Sequence, residues 1–365
     1  MSSTVNLHKK YLLLAHSLAK KKFGNTFPNP SVGCVLVKNN KIIAQASTGK
    51  NGRPHAEEIV LKKAGNKSIG STLYVTLEPC NHKSEHGSCT DQIIQSRIKK
   101  IFIAKVDLDP RTKYKSIKKL KKNGIKINVG ITSYKTDLLN KFFFNSLINK
   151  RPFIKVKMAI SQDEKIAWKD YSSKWISNNK SRNYAHKLRA QSQAILTTSK
   201  TIIKDNPRFT IRNKNKIIKY MPVIIIDKNL KISLNTYLIK SLTKRRIIIF
   251  TSQSNRKFNK LKSLGCEIFL LKEHKNTNEF YLPLIMKKIL SLNINNILVE
   301  SGGIFFTKLL LCNLIDEFHI FKSSLKIGQS GKPMIINKKF KDLSLEEISK
   351  KKFGKDVYQQ LIIKK

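Results

Sequence analysis

Four residues, Asn149-Lys150-Arg151-Pro152, constrain this chain more than any others. Before them, apolar residues recur at helical spacing from Leu138 to Leu147; directly after them a strand-like run, Phe153 to Met158, begins. Proline removes a backbone donor and pushes its predecessor out of the helical region, so a helix reaching this point has to stop. A chain of 365 residues also exceeds what one ordinary core holds. The break therefore predicts two domains, residues 1–148 and 149–365, each near the usual size of an independent unit.

Each half carries its own α/β pattern. Leu7, Tyr11, Leu14, Ala15 and Leu18 predict an amphipathic helix over 6–22. Beyond the Pro28-Asn29-Pro30 loop, Val32 to Val37 and Lys41 to Ala46 flank Asn39-Asn40 and read as a hairpin. A helix over 55–64, a strand over 72–77, a helix over 90–98 and a strand over 101–104 follow, the β-β-α-β-α-β order of a helix-flanked sheet. In the second half, apolar strands at 194–196, 223–226, 247–250 and 297–299 alternate with helical stretches, which predicts a second α/β domain.

Two clusters in the first half carry chemistry. His55-Ala56-Glu57 opens a helix, and Glu78-Pro79-Cys80 closes a strand, with Cys89 nine positions on. One His and two Cys supply three ligands of a tetrahedral zinc site and leave the fourth position open to water. Cys80 is expected near a helix start, where backbone N–H groups favour a thiolate. Glu57 is not needed as a ligand, and a carboxylate beside an activated water is what hydrolytic deamination requires. H-x-E followed by P-C-x-x-C marks zinc nucleobase deaminases; here eight residues separate the cysteines. His82 and His86 lie inside that insertion and are rival ligands. Cys34, Cys266 and Cys312 lack partner spacing and read as core residues.

The formal net charge of +49 admits two readings. Excess Lys and Arg can mark a nucleic-acid partner. Yet lysine dominates the 72 basic residues and runs through nearly every segment, whereas phosphate recognition favours the bidentate arginine fork. Abundant Ile and Asn beside the Lys fit compositional drift instead. No run approaches the ~18 apolar residues of a membrane span. The first helix is broken by His8, Lys9, Lys10 and His16, unlike a signal peptide. Five cysteines do not suggest a disulfide framework, so a reduced, cytoplasmic protein is expected.

The chain resembles the bifunctional riboflavin biosynthesis deaminase–reductases. In the first half the resemblance lies in Pro28-Asn29-Pro30-Ser31-Val32-Gly33-Cys34-Val35, Pro54-His55-Ala56-Glu57 and Tyr74-Val75-Thr76-Leu77-Glu78-Pro79-Cys80, with the long spacing to Cys89. In the second half Lys157-Met158-Ala159, Ser161-Gln162-Asp163, Ser173-Lys174-Trp175-Ile176, Leu188-Arg189-Ala190, Asp205-Asn206-Pro207 and Val299-Glu300-Ser301-Gly302-Gly303 match in order. The resemblance implies an N-terminal cytidine-deaminase-like domain and a C-terminal domain similar to dihydrofolate reductase. His55, Cys80 and Cys89 then correspond to ligands of one Zn2+, and Glu57 to the catalytic proton shuttle. NADPH contacts would fall to Ala159, Trp175, Thr201, Asp205, Lys228 and the turn Gly302, Gly303, Ile304, Phe305, Phe306, Thr307 and Lys308. Substrate contacts would fall to Ser173, Arg189, Phe209, Arg212 and Glu300. The implied substrate is a diamino-pyrimidinone bearing a phosphoribosylamino group, with no specific nucleic acid or membrane partner and a homo-oligomeric assembly.

The residues support that transfer independently. A strand running into Gly302-Gly303 and an apolar helix lets backbone N–H groups approach a phosphate, and Arg189 and Arg212 are candidates for bidentate phosphate binding. The chain departs from the family at Glu164, where Gly usually follows the Asp, at Thr48 for a His, at Arg111 to Lys115 for glycines, and at Lys228 for a small hydroxyl residue. Two rival readings are a nucleic-acid-editing deaminase with a basic C-terminal half and a non-catalytic binding protein with a degenerate site. The Cys spacing and Gly302-Gly303 argue against the first, the intact Glu57 against the second.

Overall fold

The computed structural model describes residues 3–82, 87–170, 172, 176–213, 216–274, 277–336 and 342–364. The chain divides into two compact units, Met1–Lys150 and Arg151–Lys365.

In the first unit, helix α1 (Ser3–Lys20) precedes the hairpin β1 (Gly33–Lys38) and β2 (Lys41–Ser47). Then come α2 (Ala56–Ala64), β3 (Thr72–Val75), α3 (Cys89–Gln95), β4 (Lys100–Ile103), α4 (Lys115–Lys122), β5 (Lys126–Val129) and α5 (Ser133–Asn149). The strands form one sheet in the order β2-β1-β3-β4-β5. Its first two pairings are antiparallel and its last two parallel, the latter made possible by the crossovers through α3 and α4. Both faces are covered, which is why β1 is apolar almost throughout. Cys34 and Leu36 point to the face packed by α2, α3 and α4, while Val35 and Val37 point to α1. At Gly33 a Cβ would lie 1.8 Å from the Ala15 carbonyl oxygen, so only glycine lets α1 sit this close.

The second unit begins with β6 (Phe153–Ile160), β7 (Lys165–Ala167), α6 (Asn179–Ala190), β8 (Ala194–Thr198) and α7 (Ser199–Asp205). It continues through β9 (Thr210–Asn213), β10 (Lys216–Tyr220), β11 (Val223–Ile226), α8 (Tyr237–Lys240), β12 (Ile247–Thr251), α9 (Arg256–Ser263) and β13 (Glu267–Leu270). Next are α10 (Leu282–Ser291), β14 (Asn296–Val299), α11 (Gly303–Leu311), β15 (Glu317–Lys322), β16 (Lys332–Pro333), β17 (Leu345–Phe353) and β18 (Asp356–Ile363). Among the described residues nine strands make the main sheet, ordered β13-β12-β11-β8-β14-β6-β15-β18-β17. The seven from β13 to β15 run parallel; β18 and β17 close the edge antiparallel. Ile154, Val156, Leu196 and Val299 pack against α10 and α11 on one face, and Ile195, Val223 and Ile249 build the core of the other. After the chain has built outward to β13, β14 returns to enter between β6 and β8, so the order reverses there. In open α/β sheets that point, beyond the carboxyl ends of the strands, is where ligands bind.

Two departures from sequence reasoning appear at backbone level. Glu164 and Tyr114 both occupy the left-handed region, each with φ 60°. Glycine adopts this conformation at less cost than either residue. Among the described residues no helix is long and apolar enough to cross a membrane.

Candidate active sites

In the first unit, three motifs far apart in sequence meet. His55 is the N-cap of α2, Cys80 lies in the loop after β3, and Cys89 is the first residue of α3. Their ligand atoms all lie within 4.8 Å of one another. His55 presents Nδ1, 3.2 Å from Cys89 Sγ and 3.6 Å from Cys80 Sγ, and its Nε2 lies 3.3 Å from the Asn29 amide nitrogen. Contrary to the expectation from sequence, Cys80 is not at a helix start; Cys89 is. The helix terminus still serves Cys80, because the Cys89 backbone N–H donates to Cys80 Sγ at 3.4 Å. Ser88 caps α3 by accepting from the Asp91 N–H.

Electrostatics divide the labour. Hydrogen bonding from Cys89 is the largest influence on Cys80 and, with His55, outweighs burial to bring its thiol down to about 4. Cys89 donates that bond and is buried, so its thiol is pushed up. Burial would lower His55, but the bond to Cys80 and the Glu57 charge raise it. Glu57, in the first turn of α2, is buried, and desolvation lifts its carboxyl to about 7 against the pull of His55. Two soft sulfurs, one imidazole and a buried carboxylate tuned near neutrality fit a catalytic zinc ion with a proton shuttle beside it. His82 is not part of the cluster, and its Nδ1 is buried without a hydrogen-bond partner among the described residues; His86 lies outside the described residues.

Glu78, grouped with Cys80 only as part of a motif, has a distinct structural job. Its carboxylate accepts from the Asp107, Tyr114 and Ile117 N–H groups and from the Ser116 hydroxyl, tying the Cys80 loop to the N-terminus of α4. Thr48 is buried, and its hydroxyl accepts from the Val32 N–H.

The second unit carries a cleft of about 1040 Å³ at the carboxyl ends of β6, β8, β11 and β14. Ala159, Thr201, Asp205, Lys228, Gly302, Gly303, Ile304, Phe305 and Lys308 line it, with Arg189, Phe209 and Glu300. Phe306 is instead buried in the core, and the Thr307 hydroxyl donates to Gly303 O. Arg212 stands on β9, its Nε donating to Thr210 Oγ1, and does not reach the cleft wall. Trp175 and Ser173 lie outside the described residues.

Three cleft residues behave differently from the sequence reading. The Arg189 fork grips Glu300, with Nε at 2.6 Å and Nη2 at 2.9 Å, rather than standing open to a phosphate. Burial pushes the Glu300 carboxyl up, but Arg189 overrides it and holds it at about 2. Gly303 is needed for packing: a Cβ there would lie 2.6 Å from Pro333 O, whereas one on Gly302 would meet open space. Cys312, expected in the core, is exposed and lines the cleft. Lys157 was visible only as a motif member. It lines the cleft beside Glu300 and Arg189; burial lowers its pKa most, and Glu300 opposes this.

Comparison with known proteins covers both units. Residues 5–105 match the cytidine and deoxycytidylate deaminase zinc-binding region, and residues 152–358 match the RibD C-terminal domain. The riboflavin biosynthesis protein RibD of Aquifex aeolicus (strain VF5) is 39% identical over 324 residues, 88% of each chain. The chain belongs to the RibD family. The RibD of Escherichia coli (strain K12) is 29% identical over 88% of this chain and 89% of its own. Among solved structures, a RibD of Acinetobacter baumannii superposes with TM-score 0.85 at 26% identity over 99% of both chains. A diaminohydroxyphosphoribosylaminopyrimidine deaminase/5-amino-6-(5-phosphoribosylamino)uracil reductase of Thermotoga maritima gives 0.83 at 28% identity, over 98% of this chain and 99% of its own.

RibD family membership makes this a bifunctional enzyme of riboflavin biosynthesis, a zinc-binding deaminase joined to an NADPH-dependent reductase. The α/β fold class is the one expected for both parts, cytidine-deaminase-like and dihydrofolate-reductase-like.

Proposed function

We propose that residues 1–148 deaminate 2,5-diamino-6-(5-phosphoribosylamino)pyrimidin-4-one and that residues 149–365 reduce the ribosyl group of the product to ribityl, giving 5-amino-6-(5-phosphoribitylamino)uracil. The observation that carries this reading is the convergence of His55, Cys80 and Cys89 around one point with the buried Glu57 carboxyl beside it.

His55 Nδ1 and the two thiolates are the groups that would hold zinc, which when bound supplies Lewis acidity to a water molecule. Glu57 takes a proton from that water and returns protons to the ring nitrogen and the departing amine, which leaves as ammonia. A carboxyl near 7 suits both directions of transfer. Cys34 and Ala56 in the surrounding core exclude bulk water.

In the second unit the N-terminus of α11 and the cleft wall from Ala159 to Lys228 are the groups that would hold NADPH, which supplies hydride to C1′ of the opened sugar. Glu300, kept ionised by Arg189, accepts hydrogen bonds from sugar hydroxyls. Lys157 Nζ, close to Glu300, donates one to a sugar oxygen. We further propose a homo-oligomer of the cytoplasm without a specific nucleic-acid partner; the scattering of lysine through nearly every segment supports the latter.

The test separates the two half-reactions. Glu57→Gln keeps the ligand set and should retain zinc while deamination falls by ~10²–10⁴-fold. Its NADPH-dependent reduction of the deaminated intermediate should match wild type. Deamination within about threefold of wild type, far less than the loss of an acid–base group costs, would remove Glu57 from the mechanism.

A further inference from the structure

We propose that the Ser301 hydroxyl is a contact for bound NADPH, donating a hydrogen bond to an oxygen of the cofactor's diphosphate. The proposal rests on the reading of the cleft as the NADPH site. Ser301 stands between the end of β14 and Gly302, the N-cap of α11, and lines the cleft. Its Oγ is buried and has no hydrogen-bond partner among the described residues.

A buried hydroxyl without a partner carries a desolvation cost with no return, and native structures rarely keep one without a use. The obvious local acceptors are engaged elsewhere. Both Glu300 carboxylate oxygens take the Arg189 fork, and the Glu300 carbonyl accepts from Thr197 Oγ1. The Ser301 hydroxyl therefore has no structural bond to lose.

Its surroundings say what kind of group would satisfy it. Gly302 provides no side-chain cap to α11, and the first N–H groups of a helix have no acceptor within it. The hydroxyl proton and these N–H groups together make a patch in which donors outnumber acceptors, at the positive end of a nine-residue helix. A sugar hydroxyl there would bring its own donor to a patch already full of donors. A phosphate oxygen brings only acceptors and negative charge, which matches the patch on both counts. Gly302, where a Cβ would meet open space, leaves room for the backbone to be approached.

The experiment measures NADPH binding to the full-length protein by nucleotide fluorescence, for wild type and Ser301→Ala, together with melting temperatures without ligand. Ribose 5-phosphate is titrated in parallel as a probe for the substrate's phosphate. Ser301→Ala should bind NADPH roughly tenfold more weakly, melt no lower than wild type without ligand, and bind ribose 5-phosphate unchanged. NADPH affinity within twofold of wild type overturns the proposal. So does a loss confined to ribose 5-phosphate, which moves the hydroxyl to the substrate subsite, and so does a lower ligand-free melting temperature, which makes the hydroxyl structural. Failure of the wild type to bind NADPH overturns instead the cofactor reading on which the proposal stands.

Discussion

At the scale of single residues, buried titratable groups show what the fold demands beyond its chemistry. His16 on α1 is buried, with Nε2 3.0 Å from the Thr132 hydroxyl and Nδ1 without a partner among the described residues. Burial, aided by Lys135, lowers its pKa from 6.5 to about 4. The unfolded chain therefore takes up a proton below 6.5 that the folded unit refuses until about 4. Stability from this group is full above pH 6.5 and is lost as pH falls through that window, by up to about 3 kcal/mol. Urea unfolding of wild type and His16→Gln at pH 7.5 and pH 4.5 checks this: the variant should lose less stability on acidification. Equal losses would show that His16 is protonated in the fold. Nothing in the sequence marked His16 as more than a break in an apolar run, because burial depends on α5, more than a hundred residues away. The grouping of His55, Cys80 and Cys89, by contrast, was legible, because ligand chemistry restricts residue type and spacing at once. Cys312 was misread for the same reason in reverse: a cysteine with no partner spacing says nothing about its exposure.

At the scale of elements, periodicity placed the first unit from α1 to β4 and the strands β6, β8, β11, β12 and β14, but it left β5, β13 and the strands from β15 to β18 unassigned, and it said nothing of the contacts between elements. The β1–β2 hairpin and the order of the first unit as far as β4 follow directly from the residues, as does the strand–Gly-Gly–helix sequence ending at α11. The purpose of the two glycines does not. Gly303 allows α11 to lie against the Pro333 and Met334 carbonyl oxygens, the nearer 2.6 Å from a would-be Cβ, while Gly302 is unobstructed. Gly303→Ala should therefore destabilise the ligand-free protein by about 1–3 kcal/mol, as overpacking does. Gly302→Ala should leave its thermal stability unchanged. Thermal melts of both variants without NADPH decide the matter; equal destabilisation would show that the packing assigned to Gly303 is shared by its neighbour. The Arg189–Glu300 pair was invisible for a similar reason. Each residue was found as a separate substrate contact, and only the juxtaposition of α6 and β14 shows that they hold each other.

At the scale of the whole molecule, the zinc cluster and Glu57 lie wholly before residue 149, and the cleft residues wholly after it. Separating the gene near residue 149 should yield an N-terminal fragment that deaminates without NADPH and a C-terminal fragment that binds NADPH without zinc. A folded C-terminal fragment unable to bind NADPH would show that the cofactor site borrows residues from the first half. The charge of +49 is the one global feature to which no contact assigns a role. The measurement that bears most directly on the central claim uses the intact, zinc-loaded protein and the diamino-pyrimidinone phosphate, with products followed by mass spectrometry. Without NADPH, the substrate should accumulate as the product in which one amine is exchanged for oxygen. With NADPH, that product should gain two hydrogens and the nucleotide should be oxidised in equal amount. An unchanged substrate in both reactions, or NADPH oxidation with no amine lost, would contradict the account.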